Sequence, residues 1–185
     1  MRLVVGITGA SGAILGIRTL EVLKSLSVET HLVMSRWART TIAHETGYRV
    51  EQVEALASHV HHSDNQAAPI SSGSFRTDGM IVAPCSMKSL AAIRIGYSDT
   101  LICRAADVML KERRKLVLVA RESPLSEIHL ENMLALTRMG AVIFPPMPAF
   151  YSVPKTMDEM VNYMVGRVLD QFGLEAPDLS RWTGF

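Results

Sequence analysis

The chain has 185 residues, 48% of them hydrophobic, and a formal net charge of +1, which suits one domain with a substantial single core. Basic and acidic residues are balanced and spread along the chain, which excludes the electrostatic footprint of a nucleic-acid binder, and no apolar run approaches the length of a membrane span. Two cysteines, Cys85 and Cys103, are too few for a disulfide scaffold and point to a reducing, cytoplasmic compartment.

Residues 3–7 form an apolar strand that runs straight into Thr8-Gly9-Ala10-Ser11-Gly12 and then an amphipathic helix predicted over 13–26. Glycines let backbone approach a ligand, and the amides that open the helix attract an anion. Gly6, Gly9 and Gly12 are three apart, so the G-x-G-x-x-G dinucleotide fingerprint is not met. Those glycines and Thr8 also interrupt the apolar opening, which therefore does not read as a signal peptide. The second strand, 30–34, ends in Ser35-Arg36 with no acidic residue to hold a ribose hydroxyl. A mononucleotide fits better than NAD, and a glycine turn needed for packing alone stays open.

Further strands are expected at 80–83, 116–120 and 142–144, and helices near 37–46, 86–95, 100–113, 126–139 and 156–172. Short apolar strands alternating with helices predict an α/β fold, a Rossmann-like doubly wound parallel sheet in a single domain. Ligands of such sheets sit beyond the carboxyl ends of the strands, so the loops opening at Thr8, Ser35, Pro84, Arg121 and Pro145 are the candidates for binding. The polar segment 59–76 is longer than a connection needs and reads as a lid, with 71–76 as its mobile part. A tail from about residue 174 is expected to close the site or an interface.

Ser86, after Pro84 and Cys85, suits a helix cap or a ligand hydroxyl. Cys85 is either a nucleophile or a small buried residue. Arg104 and Lys111 share a helical face about 10 Å apart along the axis, as two cations bracketing a phosphate would, or as a solvated face. Arg121-Glu122 closes the fourth predicted strand as an ion pair or a ligand contact. His59, His61, His62 and Asp64 match no standard metal spacing, so no metal is expected. Glu45 reads as a surface glutamate.

Gly9-Ala10-Ser11-Gly12, Pro84-Cys85-Ser86, Arg104-Ala105-Ala106-Asp107 through Leu110-Lys111-Glu112, Arg121-Glu122, Ile128-His129-Leu130-Glu131-Asn132-Met133 and Pro148-Ala149-Phe150-Tyr151, in this order and almost end to end, resemble the UbiX-type flavin prenyltransferases. The resemblance implies a homododecamer that binds FMN at a junction between subunits. It also implies transfer of the dimethylallyl group of dimethylallyl phosphate to N5 and C6 of reduced FMN, without a metal, for use by a UbiD-type decarboxylase. By matching position it assigns FMN to Gly9, Ala10, Ser11, Ser35, Cys85, Ser86, Met87, Lys88 and Arg121. Dimethylallyl phosphate falls to Tyr151 and Arg167, joined by Arg104, Lys111 and Glu122 around the phosphate and by Glu45 close to it; Trp182 encloses the prenyl group. Ser11, Glu45, Arg104, Lys111, Glu122 and Trp182 are the expected catalytic set, and the proton relay is open between Glu45, Glu122 and the released phosphate. A flavin-dependent cysteine decarboxylase or a flavin carrier are the alternatives, the former lacking its Pro-Ala-Ser-Ala-Asn run here.

Overall fold

The computed structural model describes residues 1–177, 179, 181, 182 and 184. Its elements, in order, are β1 (Arg2–Ile7), α1 (Ala13–Ser25), β2 (Glu29–Met34), α2 (Arg36–Glu45), α3 (Val50–Glu54), β3 (His59–His61), a 3-10 turn (Pro69–Ser71), β4 (Gly79–Cys85), α4 (Met87–Arg94), α5 (Leu101–Lys111), β5 (Lys115–Ala120), α6 (Glu127–Arg138), β6 (Val142–Ile143), a second 3-10 turn (Phe150–Ser152) and α7 (Met157–Asp170). The strands form one parallel sheet in the order β3-β2-β1-β4-β5-β6, the Rossmann-like arrangement the alternation predicts.

Strand periodicity divides the core between the two faces of the sheet. Leu3, Val5 and Ile7 of β1 pack with α1 and α7 through Ile17, Leu20, Leu23, Val165 and Leu169. Val4 faces the other way, with Met80 and Val82 of β4, onto Ile102, Ala105 and Met109 of α5. Strand order reverses between β1 and β4, which opens a crevice at their carboxyl ends. Gly16 makes that crevice narrow, because a Cβ there would lie 2.3 Å from the carbonyl oxygen of Ala83 and 2.9 Å from Ile7.

Two elements went unpredicted. The short helix α3 buries a single residue, Val53, too little for a periodic signal. The edge strand β3 reads His-Val-His with its first two residues exposed, so no apolar alternation marks it; its pairing with β2 carries it.

The lid reading of 71–76 is corrected. Arg104 Nε donates to the Ser71 carbonyl at 3.0 Å, the Arg114 guanidinium donates to the carbonyls of Gly73 at 2.6 Å and Phe75 at 2.9 Å, and Arg2 donates to that of Arg76 at 3.0 Å. Ile70, just before it, is buried against α5. The segment is strapped toward the amino edge of the sheet, where β4 and β5 begin, and away from the crevice. No helix among the described residues is long and apolar enough to cross a membrane.

Candidate functional site

Thr8 welds the two central loops of the crevice together. Its buried hydroxyl donates to the Pro84 carbonyl at 2.8 Å and accepts from the Ser86 amide at 2.8 Å, while its own amide donates to the Pro84 carbonyl at 3.2 Å. Around this weld three helices begin with a hydroxyl cap. Ser35 accepts from the Ala38 amide at 3.1 Å, Ser86 from Ser89 at 3.3 Å and Thr100 from Cys103 at 3.3 Å. Ser86 also donates its proton to the Ser89 hydroxyl at 3.1 Å, whereas the Ser35 and Thr100 hydroxyls, accepting the cap bond, have a proton to offer a ligand oxygen, and each helix start adds partial positive charge.

A cavity of about 340 Å³ lies between them, lined by Thr8, Gly9, Ser35, Trp37, Ser86, Lys88, Ser89, Thr100 and Ile102. A neighbouring one of about 380 Å³ shares Ser35, Trp37, Lys88 and Thr100. Trp37 is the residue sequence reasoning missed: it is largely exposed, lines both cavities, and lies so close to Gly9 that a Cβ on Gly9 would come within 2.4 Å of it. Its one sequence signal is an aromatic residue directly after the strand-end Ser35-Arg36.

The amides that open α1 have a partner of their own. Glu45, at the end of α2, is exposed, as a surface glutamate is expected to be, but it is not a lone one: it accepts from Gly12 at 2.8 Å and Ala13 at 3.2 Å. Partial burial pushes its carboxyl upward, but hydrogen bonds from Ser11, Gly12 and Ala13 and the charge of Arg121 outweigh it and leave it below the ordinary carboxylate range. The Gly12 and Ala13 amides therefore meet the protein's own carboxylate, while the hydroxyl-capped starts of α2, α4 and α5 border the cavity. Glu45→Ala should cost about 1 to 2 kcal/mol in denaturant unfolding, as loss of a helix cap does. Because the folded-state pKa is depressed, the stability gap between wild type and Glu45→Gln should be widest near neutral pH. It should shrink as pH falls through that pKa; a gap independent of pH would show that the carboxylate charge is not what caps α1.

Cys85 is fully buried, its backbone carbonyl accepts from the Arg121 amide at 3.2 Å, and burial pushes its thiol far above the ordinary range. It cannot serve as a nucleophile, and its side chain faces the core and not the crevice. Gly9, Ala10, Ser11, Ser35, Ser86, Met87, Lys88, Glu45, Arg121 and Glu122 all belong to the carboxyl edge. Lys88 is exposed and paired to Asp99 at 3.4 Å.

The cations of α5 are elsewhere. Arg104 spans Asp107 at 2.7 Å and the Ser71 carbonyl, so it braces the strap where an open phosphate ligand was expected. Lys111, at the far end of α5, pairs with Glu112 near the amino edge of the sheet. The two do not flank the cavity of their own chain. Tyr151 forms a third group. Its hydroxyl hydrogen-bonds that of Tyr163, its ring meets Trp182 edge-on at 5.3 Å, and Tyr163 in turn hydrogen-bonds Arg167. Arg167 and Arg181 share the carboxylate of Asp170, at 3.4 Å and 2.8 Å. Tyr163 was also missed; its signal is its place one helical turn before Arg167. The tail thus folds back on α7, with Leu179 against Gly166; expectations for Asp178, Ser180, Thr183 and Phe185 lie outside the described residues.

The histidine segment divides. His62 and Asp64 face each other at 3.8 Å on the surface, whereas His59 and His61 flank His31 of β2.

Comparison with known proteins agrees with this geometry. Residues 1–169 match the model of the Flavoprotein family. A probable UbiX-like flavin prenyltransferase of Bacillus subtilis (strain 168) is 64% identical over 184 residues, covering all of this chain and 90% of that protein. AnUbiX (PadA1), solved in complex with FMN and dimethylallyl pyrophosphate, superposes with a TM-score of 0.99 at 61% identity over all of this chain and 98% of that one. A dodecameric FMN-dependent UbiX-like decarboxylase of Escherichia coli O157:H7 gives 0.98 at 64% identity, with both chains covered completely. The FMN-dependent cysteine decarboxylase SpaF, at 17% identity and a TM-score of 0.65 over 83% of this chain and 92% of that one, shares the fold alone. The chain belongs to the Flavoprotein family and, within it, to the UbiX-type flavin prenyltransferases.

Proposed function

We propose that the chain transfers the dimethylallyl group of dimethylallyl phosphate to N5 and C6 of reduced FMN, making prenylated FMN for a UbiD-type decarboxylase. The observation that carries this reading is the crevice itself: three hydroxyl-capped helix starts converge beside a glycine turn whose own amides are already taken by Glu45. That donor set fits one phosphate, and the apolar Trp37 and Ile102 beside it fit a flat ring. Ser35, Ser86, Thr100 and Arg121 would hold FMN, and the loops at Gly9–Ser11 and Ser86–Lys88 would border it. When bound, reduced FMN supplies the two ring atoms that accept the prenyl carbons.

The chain's residues do the rest. Departure of an allylic phosphate leaves positive charge on the prenyl unit, which the faces of Tyr151 and Trp182 attract. Arg167 and Lys111 stabilise the leaving phosphate, each charge-assisted contact contributing about 1.5 to 3 kcal/mol. Arg104 supports them through the strap at Ser71. Glu45, whose carboxylate meets the amides that open α1, and Glu122, beside Arg121 at the same edge, are with the released phosphate the candidates for the proton relay. Because Lys111 lies near the opposite edge of its own chain from the crevice, a complete site needs more than one subunit. A homododecamer is the proposed assembly, with the tail folded on α7 closing the prenyl side. Cys85 and Cys103 are both free and buried, in keeping with a cytoplasmic, reducing setting.

FMN should bind more tightly than FAD in fluorescence titrations, since a single phosphate is read and no acidic ribose anchor follows β2. Tighter FAD binding would refute that. Prenyl transfer should persist in excess EDTA, because side-chain cations stand where diphosphate-using enzymes place a metal; abolition by chelator with rescue by Mg²⁺ would contradict it. Running dimethylallyl phosphate beside the pyrophosphate compares the two donors.

A further inference from the structure

At the amino edge of the sheet, remote from the crevice, Glu29 and His31 of β2 and His59 of β3 converge. Glu29 Oε1 lies 3.2 Å from His31 Nε2 and 3.5 Å from His59 Nε2, and one ligand atom from each of the three residues falls within 4.8 Å of the others. Ligand bonds of about 2.0 to 2.2 Å to a tetrahedral ion place neighbouring donor atoms about 3.3 to 3.6 Å apart; the 3.5 Å separation falls in that range and the 3.2 Å separation just below it. We propose that Glu29, His31 and His59 bind one divalent transition-metal ion of the zinc class, with water as the fourth ligand.

The surroundings fit such a site. His31 is buried, and its other ring nitrogen lies 2.8 Å from His61 Nε2, too short an edge for both to share an ion and the right length for a hydrogen bond. With Nδ1–H of His31 donating to His61, Nε2 keeps its lone pair for the metal, and the second-shell partner fixes ring and tautomer. His61 stacks on His31 at 5.1 Å and His59 at 4.6 Å, which holds all three rings in place. Arg2 takes one lone pair of Glu29 Oε1 at 2.8 Å and is kept over the Phe75 ring at 4.6 Å, leaving the carboxylate's remaining lone pairs to the ion. His59 and Glu29 are partly exposed, which gives the ion an entry path and the water its place.

The inference is independent of the flavin chemistry. Metal-free protein with bound FMN should be titrated with Co²⁺, followed by its visible bands. One equivalent per chain with the intense spectrum of a tetrahedral ion, displaced by Zn²⁺ and removed by EDTA without loss of prenyl transfer, is the expected result. His59→Ala and Glu29→Gln should weaken binding at least about tenfold, and His61→Phe by about 10- to 100-fold, as loss of a second-shell partner does, each variant keeping its FMN affinity. A pale octahedral spectrum, or equal Co²⁺ binding by wild type and His59→Ala, would overturn the proposal.

Discussion

Lys111→Ala should lower the rate of prenyl transfer at least about thirtyfold, equivalent to about 2 kcal/mol of transition-state stabilisation in a dry site, and leave FMN affinity unchanged. The separation follows from where α5 ends. Its first turn, capped by Thr100, lines the cavity, whereas Lys111 is ten residues further on, about 15 Å along the axis, and pairs with Glu112 beside Gly73. Under the proposed function its ammonium serves the prenyl phosphate of a neighbouring subunit's site. Oligomers mixed from Lys111→Ala chains and chains with a disabled crevice, such as Gly9→Trp, should therefore recover part of the activity that neither variant has alone. Normal turnover by Lys111→Ala with weakened FMN binding would show that the phosphate assignments are reversed.

Gly16→Ala should have the largest effect on stability. The added methyl would meet the Ala83 carbonyl oxygen at 2.3 Å and Ile7 at 2.9 Å, and neither backbone nor core side chain can retreat cheaply. Overpacking of this kind costs about 1 to 3 kcal/mol. A loss of 2 kcal/mol corresponds to a midpoint lowered by about 4 to 8 °C in a domain of this size. The consequence reaches the site, because the same contact holds the start of α1 against the strand that carries Pro84 and Ser86, whose positions Thr8 fixes. FMN affinity should fall with stability. A Gly16→Ala protein with unchanged midpoint and affinity would mean that α1 is free to shift away from β4.

Five of the six described strands and six of the seven described helices are legible because each central strand is a short apolar run punctuated by glycine, proline or charge, and each main helix carries an amphipathic face. The apolar run Leu3-Val4-Val5, with Ile7, announces a strand buried on both sides; Ser86 and Thr100 announce helix starts. What escaped notice depended on contacts between distant residues. Glu45 is polar and exposed, and nothing local ties it to Gly12 and Ala13, which lie 33 and 32 positions away. His31 sits inside an apolar strand, 28 positions before His59, and only the β2–β3 pairing brings them together. The strap at 71–76 reads as a mobile lid because serine and glycine dominate it, while the arginines that hold it come from β1 (Arg2), α5 (Arg104) and the turn before β5 (Arg114). The sharing of one helical face by Arg104 and Lys111 was correct as helix geometry. Within one chain that face meets the Ser71 carbonyl and Asp107 at Arg104 and Glu112 at Lys111.

The most direct measurement is a mass spectrum of the flavin after incubation of the protein with reduced FMN and dimethylallyl phosphate under anaerobic conditions. The proposed function requires the flavin to gain the mass of one prenyl unit and inorganic phosphate to appear in equal amount. FMN of unchanged mass, recovered from protein shown to have bound it, with the prenyl phosphate intact, would contradict it.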